Sequence, residues 1–147
     1  MKRLSKSFTL EEFLKNSHHI TLNPSRKHID NLESLCKTIM QPLRDRYGKI
    51  IISSGYRNEE LNDLVGGEKN SKHLEGKACD FIVKSEDEDL FEVFMWIKTN
   101  INLGRAIIYL TDKAKPRFIH VNSGSEGLFY ANFDDKYYDI TEKYSLN

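Results

Sequence analysis

The sequence is poor in cysteine, carries no excess charge of either sign and contains no long apolar run, and each shortage removes a class of protein. Cys36 and Cys79 are its two cysteines, and neither belongs to a CxxC pair, so a disulfide framework or a thiolate zinc cluster has nothing to build on. Cys36 falls in a helical apolar pattern and Cys79 in a strand-like run, which predicts two buried, reduced thiols. Twenty-two Lys and Arg balance twenty-two Asp and Glu. The chain thus lacks the cationic field with which proteins hold phosphates, and no nucleic-acid partner is expected. No apolar stretch reaches the roughly 18 residues of a membrane helix, and the N-terminal MKRLSKSFTLEEF lacks the apolar core of a signal peptide. The expectation is a protein with no membrane partner, cytoplasmic as synthesised, that reaches any extracellular target by another route such as lysis by a phage. HExxH, the commonest helical zinc motif, is absent as well.

What remains is a chain of 147 residues, 39% hydrophobic, with seven Tyr and eight Phe. That is globular composition in a length that buries one core, so residues 1–147 read as a single domain. Thr9 and Glu12 have capping-box spacing, with Phe8 and Phe13 as the flanking staple, and predict a short helix from Leu10. Apolar residues at Ile29, Leu32, Cys36, Ile39, Leu43 and Tyr47 predict a helix with one buried face, capped by Ser25 and ended by Gly48. Pro42 removes a donor inside it, and a kink or restart is expected near Gln41. Strands are predicted from Ile50 to Ser53 and from Ala78 to Val83, with a helix from Glu59 to Val65 between them. Ser85 and Glu88 form a second capping-box pair ahead of a helix that ends near Asn100, and the acidic run from Glu86 to Asp89 suits the positive end of that helix. The last third turns to strand patterns at Ala106–Leu110, Phe118–Asn122, Leu128–Phe133 and Tyr137–Ile140. Helices early and strands late predict an α+β fold.

Two of the five histidines occupy informative places. His73 sits on a polar loop after Gly66-Gly67, and Asp80 follows seven residues later inside a strand. In Phe118-Ile119-His120-Val121-Asn122, alternation sends Ile119 and Val121 to one face and His120 to the other. Two histidines and a carboxylate are a common protein set for catalytic zinc, which leaves one metal position open. By spacing alone, two histidines satisfied within the fold explain the same residues. His18, His19 and His28 lack such a context and read as ordinary surface or interface residues.

The order of motifs carries more. Ser53-Ser54-Gly55-Tyr56-Arg57, Asn62, Val65-Gly66-Gly67, the S-x-H-x-x-G-x-A-x-D string from Ser71 to Asp80, and Phe118-Ile119-His120-Val121 resemble, in the same sequence, the zinc D-Ala-D-Ala carboxypeptidase and L-alanyl-D-glutamate endolysin metallopeptidases. Phe8–Phe13 and Gln41-Pro42-Leu43-Arg44 extend the likeness to about residues 8–122, with the strands of 123–147 beyond it. The resemblance implies a hedgehog/DD-peptidase-like domain, an antiparallel sheet carrying a zinc site with helices packed on one side. It implies one Zn²⁺ per chain, held by His73, Asp80 and His120. It makes Arg57 the arginine that steadies the substrate or its oxyanion, and Ser71 a substrate-binding hydroxyl. The partners it implies are peptidoglycan stem peptides, cut by a carboxypeptidase or an endopeptidase. The alternative is a catalytically weak peptidoglycan-binding module of a phage or cell-envelope particle.

One departure bears on activity. Many members place an acid three residues before the second histidine, and some place Asp two residues after it; here those positions hold Arg117 and Asn122. In a regular strand Arg117 would face away from His120. Asp112, Glu75 and Glu126 remain candidates for the acid/base role.

Overall fold

The computed structural model describes residues 2–85 and 88–142. A 3₁₀ turn at Leu10–Phe13 opens the chain, with Glu12 accepting from the Thr9 amide as expected of the capping box. Helix α1 (Arg26–Leu35) begins at Ser25, whose hydroxyl accepts from the His28 amide. A π turn at Cys36–Met40 joins it to α2 (Gln41–Tyr47). The widened turn falls just before Pro42, and the Gln41 amide bonds to the Cys36 carbonyl. The helix therefore passes the missing donor by a local change of pitch rather than by breaking.

Six strands follow: β1 (Ile50–Ser54), β2 (Ala78–Val83), β3 (Arg105–Leu110), β4 (Pro116–Asn122), β5 (Leu128–Phe133) and β6 (Lys136–Asp139). Helix α3 (Glu59–Leu64) lies between β1 and β2, and α4 (Leu90–Asn100) between β2 and β3. Helix α4 is capped by Asp89, which accepts from the Phe91 amide, and not by Ser85. The helix starts where its apolar face starts. Glu86 and Asp87 of the acidic run lie outside the described residues.

The sheet order is β1-β2-β4-β3-β5-β6. It is mixed, which corrects the antiparallel expectation: β3 and β5 run parallel. After β4 the chain crosses the start of β3, where Gly127 donates to Leu103 and Leu128 to Gly104, and enters on the far side of β3. A strand antiparallel to β4 and laid beside β3 must run with β3.

Alternation divides the sheet into two chemistries. Cys79, Phe81, Ala106, Ile108, Ile119, Val121 and Phe129 point to one face and join Leu32, Leu35, Cys36, Ile39, Met40 and Leu43 from the long helix and Val93, Phe94 and Ile97 from α4 in one core. Both cysteines are buried and unpaired, the Cys79 thiol lying 3.5 Å from the Met40 sulfur. Burial pushes both thiols above the ordinary range, as suits inert packing groups. The opposite face carries Asp80, His120, Ile107 and Tyr130 in one paired row across β2, β4, β3 and β5. Among the described residues no helix is long and apolar enough to cross a membrane.

Gly76 fixes the loop ahead of β2. Its φ of +74° is left-handed, and a Cβ there would stand 2.6 Å from the His28 carbonyl oxygen. Replacing it with Ala combines backbone strain with a backbone clash. We expect Gly76→Ala to cost about 1–3 kcal/mol in chemical denaturation and to weaken metal binding, because the loop it closes carries His73.

Candidate metal centre

Each side chain of the site is delivered by a different local device. His73 lies in a 3₁₀ turn (Lys72–Glu75) whose first amides need a cap, and Ser71 Oγ accepts from the His73 amide at 3.2 Å. Ser71 therefore caps the turn that carries His73, and it also lines the cleft. His73 is 3% exposed. Its Nδ1 lies 2.7 Å from the Gly55 carbonyl. A carbonyl only accepts, so Nδ1 carries a proton, and Nε2 is the ring atom that faces Asp80 and the cleft.

Asp80 and His120 are directly paired residues on β2 and β4. Asp80 Oδ1 lies 2.8 Å from His120 Nδ1 and 3.4 Å from His73 Nε2. The imidazole rings tilt toward one another with centroids 5.2 Å apart. Burial by itself would raise the Asp80 carboxyl, but the hydrogen bonds from His120 and His73 outweigh it and hold the group well below the usual carboxylate range. Burial pushes His120 down, which favours the neutral imidazole a metal requires.

The Asn122 side-chain nitrogen lies 3.1 Å from His120 Nε2 and donates to it, while His120 Nδ1 donates to Asp80 Oδ1. Asn122 is 7% exposed. An amide offers a donor or an acceptor by turning over. Turned over, its oxygen would accept from Nε2–H and leave the Nδ1 lone pair for a cation, the partner a ligating histidine needs. The residue that displaces an acid from the pattern is therefore the one that orients the second histidine.

Arg57 stands beside the carboxylate. Its Nη2 is 3.6 Å from Asp80 Oδ2, its Nε donates to Ser54 Oγ at 3.1 Å, and its Nη1 donates to Asn62 Oδ1 at 3.3 Å. Asn62, 2% exposed, donates in turn to the Glu68 carbonyl. The Gly67 position has no room for a Cβ, which would lie 2.1 Å from Asn62 Oδ1 and 3.0 Å from Arg57 Nη1. The Val65-Gly66-Gly67 turn thus exists to let this pair close. Only 13% of the arginine side chain is exposed, so it is a fixed fork and not a surface ion pair.

The donor set fits a metal ion. His73, Asp80 and His120 each offer a ligand atom within 4.8 Å of the others. Zinc bonds of about 2.0–2.2 Å at tetrahedral angles place ligand atoms roughly 3.3–3.6 Å apart, and Asp80 Oδ1 lies 2.8 Å and 3.4 Å from the two ring nitrogens. The site floors a cleft of about 710 Å³. Arg105, Tyr109, Glu126, Tyr130 and Tyr137 line it too, and sequence reasoning assigned a role to none of these except Glu126. Their cleft-facing alternation in β3 and β5 is the signal that could have found the first, second and fourth.

Of the acid/base candidates, Glu126 lines the cleft. Glu75 is paired with Lys72 at 3.3 Å and Lys77 at 3.7 Å, and neither it nor Asp112 lines the cleft. Arg117 is the extra residue of a bulge between the Tyr109–Phe118 and Leu110–Pro116 pairs; it is exposed, with its guanidinium over the Phe118 ring. The strand entry is irregular, yet Arg117 stays outside the cleft. His28 accepts from the Ser25 amide at the start of α1, its ring tilted against that of Tyr56, and it is not part of the candidate metal group.

Two imidazoles and a buried carboxylate converge beside a fixed arginine at the floor of a cleft, an arrangement that could hold one metal ion. A family model described as Peptidase M15 matches residues 6–122, and the chain belongs to that metallopeptidase family. No curated protein is similar enough to be matched.

One zinc per chain is expected by metal analysis, with His73→Ala, Asp80→Ala and His120→Ala each losing most of it, because three protein ligands leave none to spare. His28→Ala should keep its zinc. Wild-type zinc content in His120→Ala would exclude this ligand set.

Proposed function

We propose that this chain is a zinc-dependent peptidase that hydrolyses a peptide bond in the stem peptides of bacterial peptidoglycan. The observation that carries the reading is the convergence of His73, Asp80 and His120 beside Arg57 in a cleft with room for a peptide. Bound zinc supplies Lewis acidity, which makes water nucleophilic near neutral pH and polarises the scissile carbonyl. The chain supplies the rest. Asp80 and the two imidazoles hold the ion in place. Arg57, fixed by Ser54 and Asn62, presents a planar cation to a substrate carboxylate or to the oxyanion of the tetrahedral species. Ser71 already accepts from the His73 amide, so its own hydroxyl proton is free to donate to a substrate peptide carbonyl.

The bond cut is either at the stem terminus or within the stem. Incubation with purified sacculi and mass spectrometry of the released fragments names it: single D-alanine marks a carboxypeptidase and longer fragments an endopeptidase. Binding to sacculi without release of fragments would make the domain a binding module.

Arg57→Lys should keep zinc and fold but lose on the order of 10–10³ in kcat/KM on stem peptides, because an ammonium cannot reproduce two parallel bonds. Unchanged kinetics would remove Arg57 from the chemistry.

Proton delivery to the departing amine falls to Glu126, the candidate carboxylate that lines the cleft. Glu126→Gln is expected to lower turnover by roughly 10²–10⁴ with zinc retained, while Asp112→Asn, Glu75→Gln and Arg117→Asp stay near wild type. A matching loss in Glu68→Gln alone, the other non-ligand carboxylate of the cleft, would move the role there.

A further inference from the structure

The stretch matched to the family ends at residue 122, yet Glu126, Tyr130 and Tyr137 complete the cleft from beyond it. The Tyr137 hydroxyl lies 3.3 Å from that of Tyr109, and the two rings meet edge to face with centroids 6.4 Å apart.

Register explains the meeting. Tyr109, Asn132 and Tyr137 stand in one row across β3, β5 and β6. On its other side Tyr109 pairs with Phe118 of β4, and their rings stack at 4.5 Å with planes 16° apart. This row lies one step along the sheet from the row of Asp80, His120 and Ile107. Tyr109 is therefore the diagonal neighbour of the ligand histidine on the cleft face, a separation that aromatic side chains span. Stacking on Phe118 fixes one ring face and Tyr137 meets the hydroxyl end, so the phenol is held rather than free.

We propose that Tyr109 is a hydrogen-bond donor to the oxyanion formed at the scissile carbonyl, acting beside Arg57, and that Tyr137 is a positioning residue that sets the direction of its O–H. The assignment rests on the peptidase reading above. A phenol in this place is a donor and not a base, because burial raises its ionisation above the ordinary tyrosine range, and either hydroxyl of the Tyr109–Tyr137 pair can donate to the other. When Tyr137 donates to the Tyr109 oxygen, the Tyr109 proton is released toward the cleft and polarised by the bond behind it. The donor keeps its proton throughout, so no bond is made or broken at Tyr109. A neutral donor gains most when charge develops on the carbonyl oxygen, so its loss should appear in kcat more than in KM.

The test compares wild type with Tyr109→Phe and Tyr137→Phe, both of which keep the ring packing and remove one oxygen. Zinc content and thermal midpoint are measured first and are expected to match wild type. On stem peptide, Tyr109→Phe should lose on the order of 10²-fold in kcat with KM nearly unchanged, and Tyr137→Phe should lose severalfold. A phosphinate analogue of the scissile dipeptide, whose oxygens mimic the tetrahedral species, should bind Tyr109→Phe more weakly by a similar factor, while the cleaved product binds all three proteins alike. Turnover in wild type with equal kcat and equal phosphinate affinity in Tyr109→Phe overturns this assignment and leaves the peptidase reading standing. Absence of both turnover and phosphinate binding in zinc-loaded wild type overturns the two together.

Discussion

A carboxylate buried in the middle of a sheet governs this molecule. Asp80 is 8% exposed, and an isolated charge in such a place costs several kcal/mol unless other charges and hydrogen bonds compensate it. The compensation comes from three directions: His120 from the next strand, His73 from a loop turn and Arg57 from the turn after β1. None of the three can be moved without leaving the carboxylate uncompensated, so the devices that hold them are constrained in turn. Gly55 holds the His73 ring through its carbonyl, Asn122 holds His120, and Ser54 and Asn62 hold Arg57. The same arrangement that solves the burial of one anion brings two ring nitrogens and a carboxylate oxygen to a common point, where a divalent cation can take the place of the protons they share.

The sheet makes this affordable to the fold because its two faces are separate environments. Residues one position away from Asp80 and His120, namely Cys79, Phe81, Ile119 and Val121, are fully buried among the helices. A slip of one residue in the β2–β4 register would send the carboxylate and imidazole into that core, so apolar packing on one face enforces the polar geometry on the other. Bulges at Ser53 and Arg117 lie at the ends of the paired segments and leave the ligand row regular.

Much of this was legible in the sequence. Ile119 and Val121 flanking His120 announce which face each side chain takes, and Ser25, Gly48 and Pro42 mark the long helix because caps and breakers act locally. The His73 and Asp80 pair was legible through the order of motifs rather than through spacing, since the loop between them brings the imidazole back by a left-handed turn at Gly76 that no periodicity records. What stayed hidden is non-local. Alternation says that β5 is a strand but not that it lies beside β3, so the mixed sheet and the approach of Tyr137 to Tyr109 could not be read. Asn122 looked like a lost acid because its partner, the far nitrogen of His120, is defined by the strand pairing. Ser85 and Glu88 have the spacing of a capping box, but the helix begins where Leu90 can be buried, and Asp89 takes the cap.

Whether these residues form one zinc site is decided by anomalous diffraction at the zinc edge. A single strong peak per chain is expected within about 2.0–2.3 Å of His73 Nε2, an Asp80 carboxylate oxygen and His120 Nδ1, with the Asn122 amide oxygen turned toward His120 Nε2. A peak held by other residues, or zinc-soaked crystals with no peak at the floor of the cleft, would contradict this ligand set.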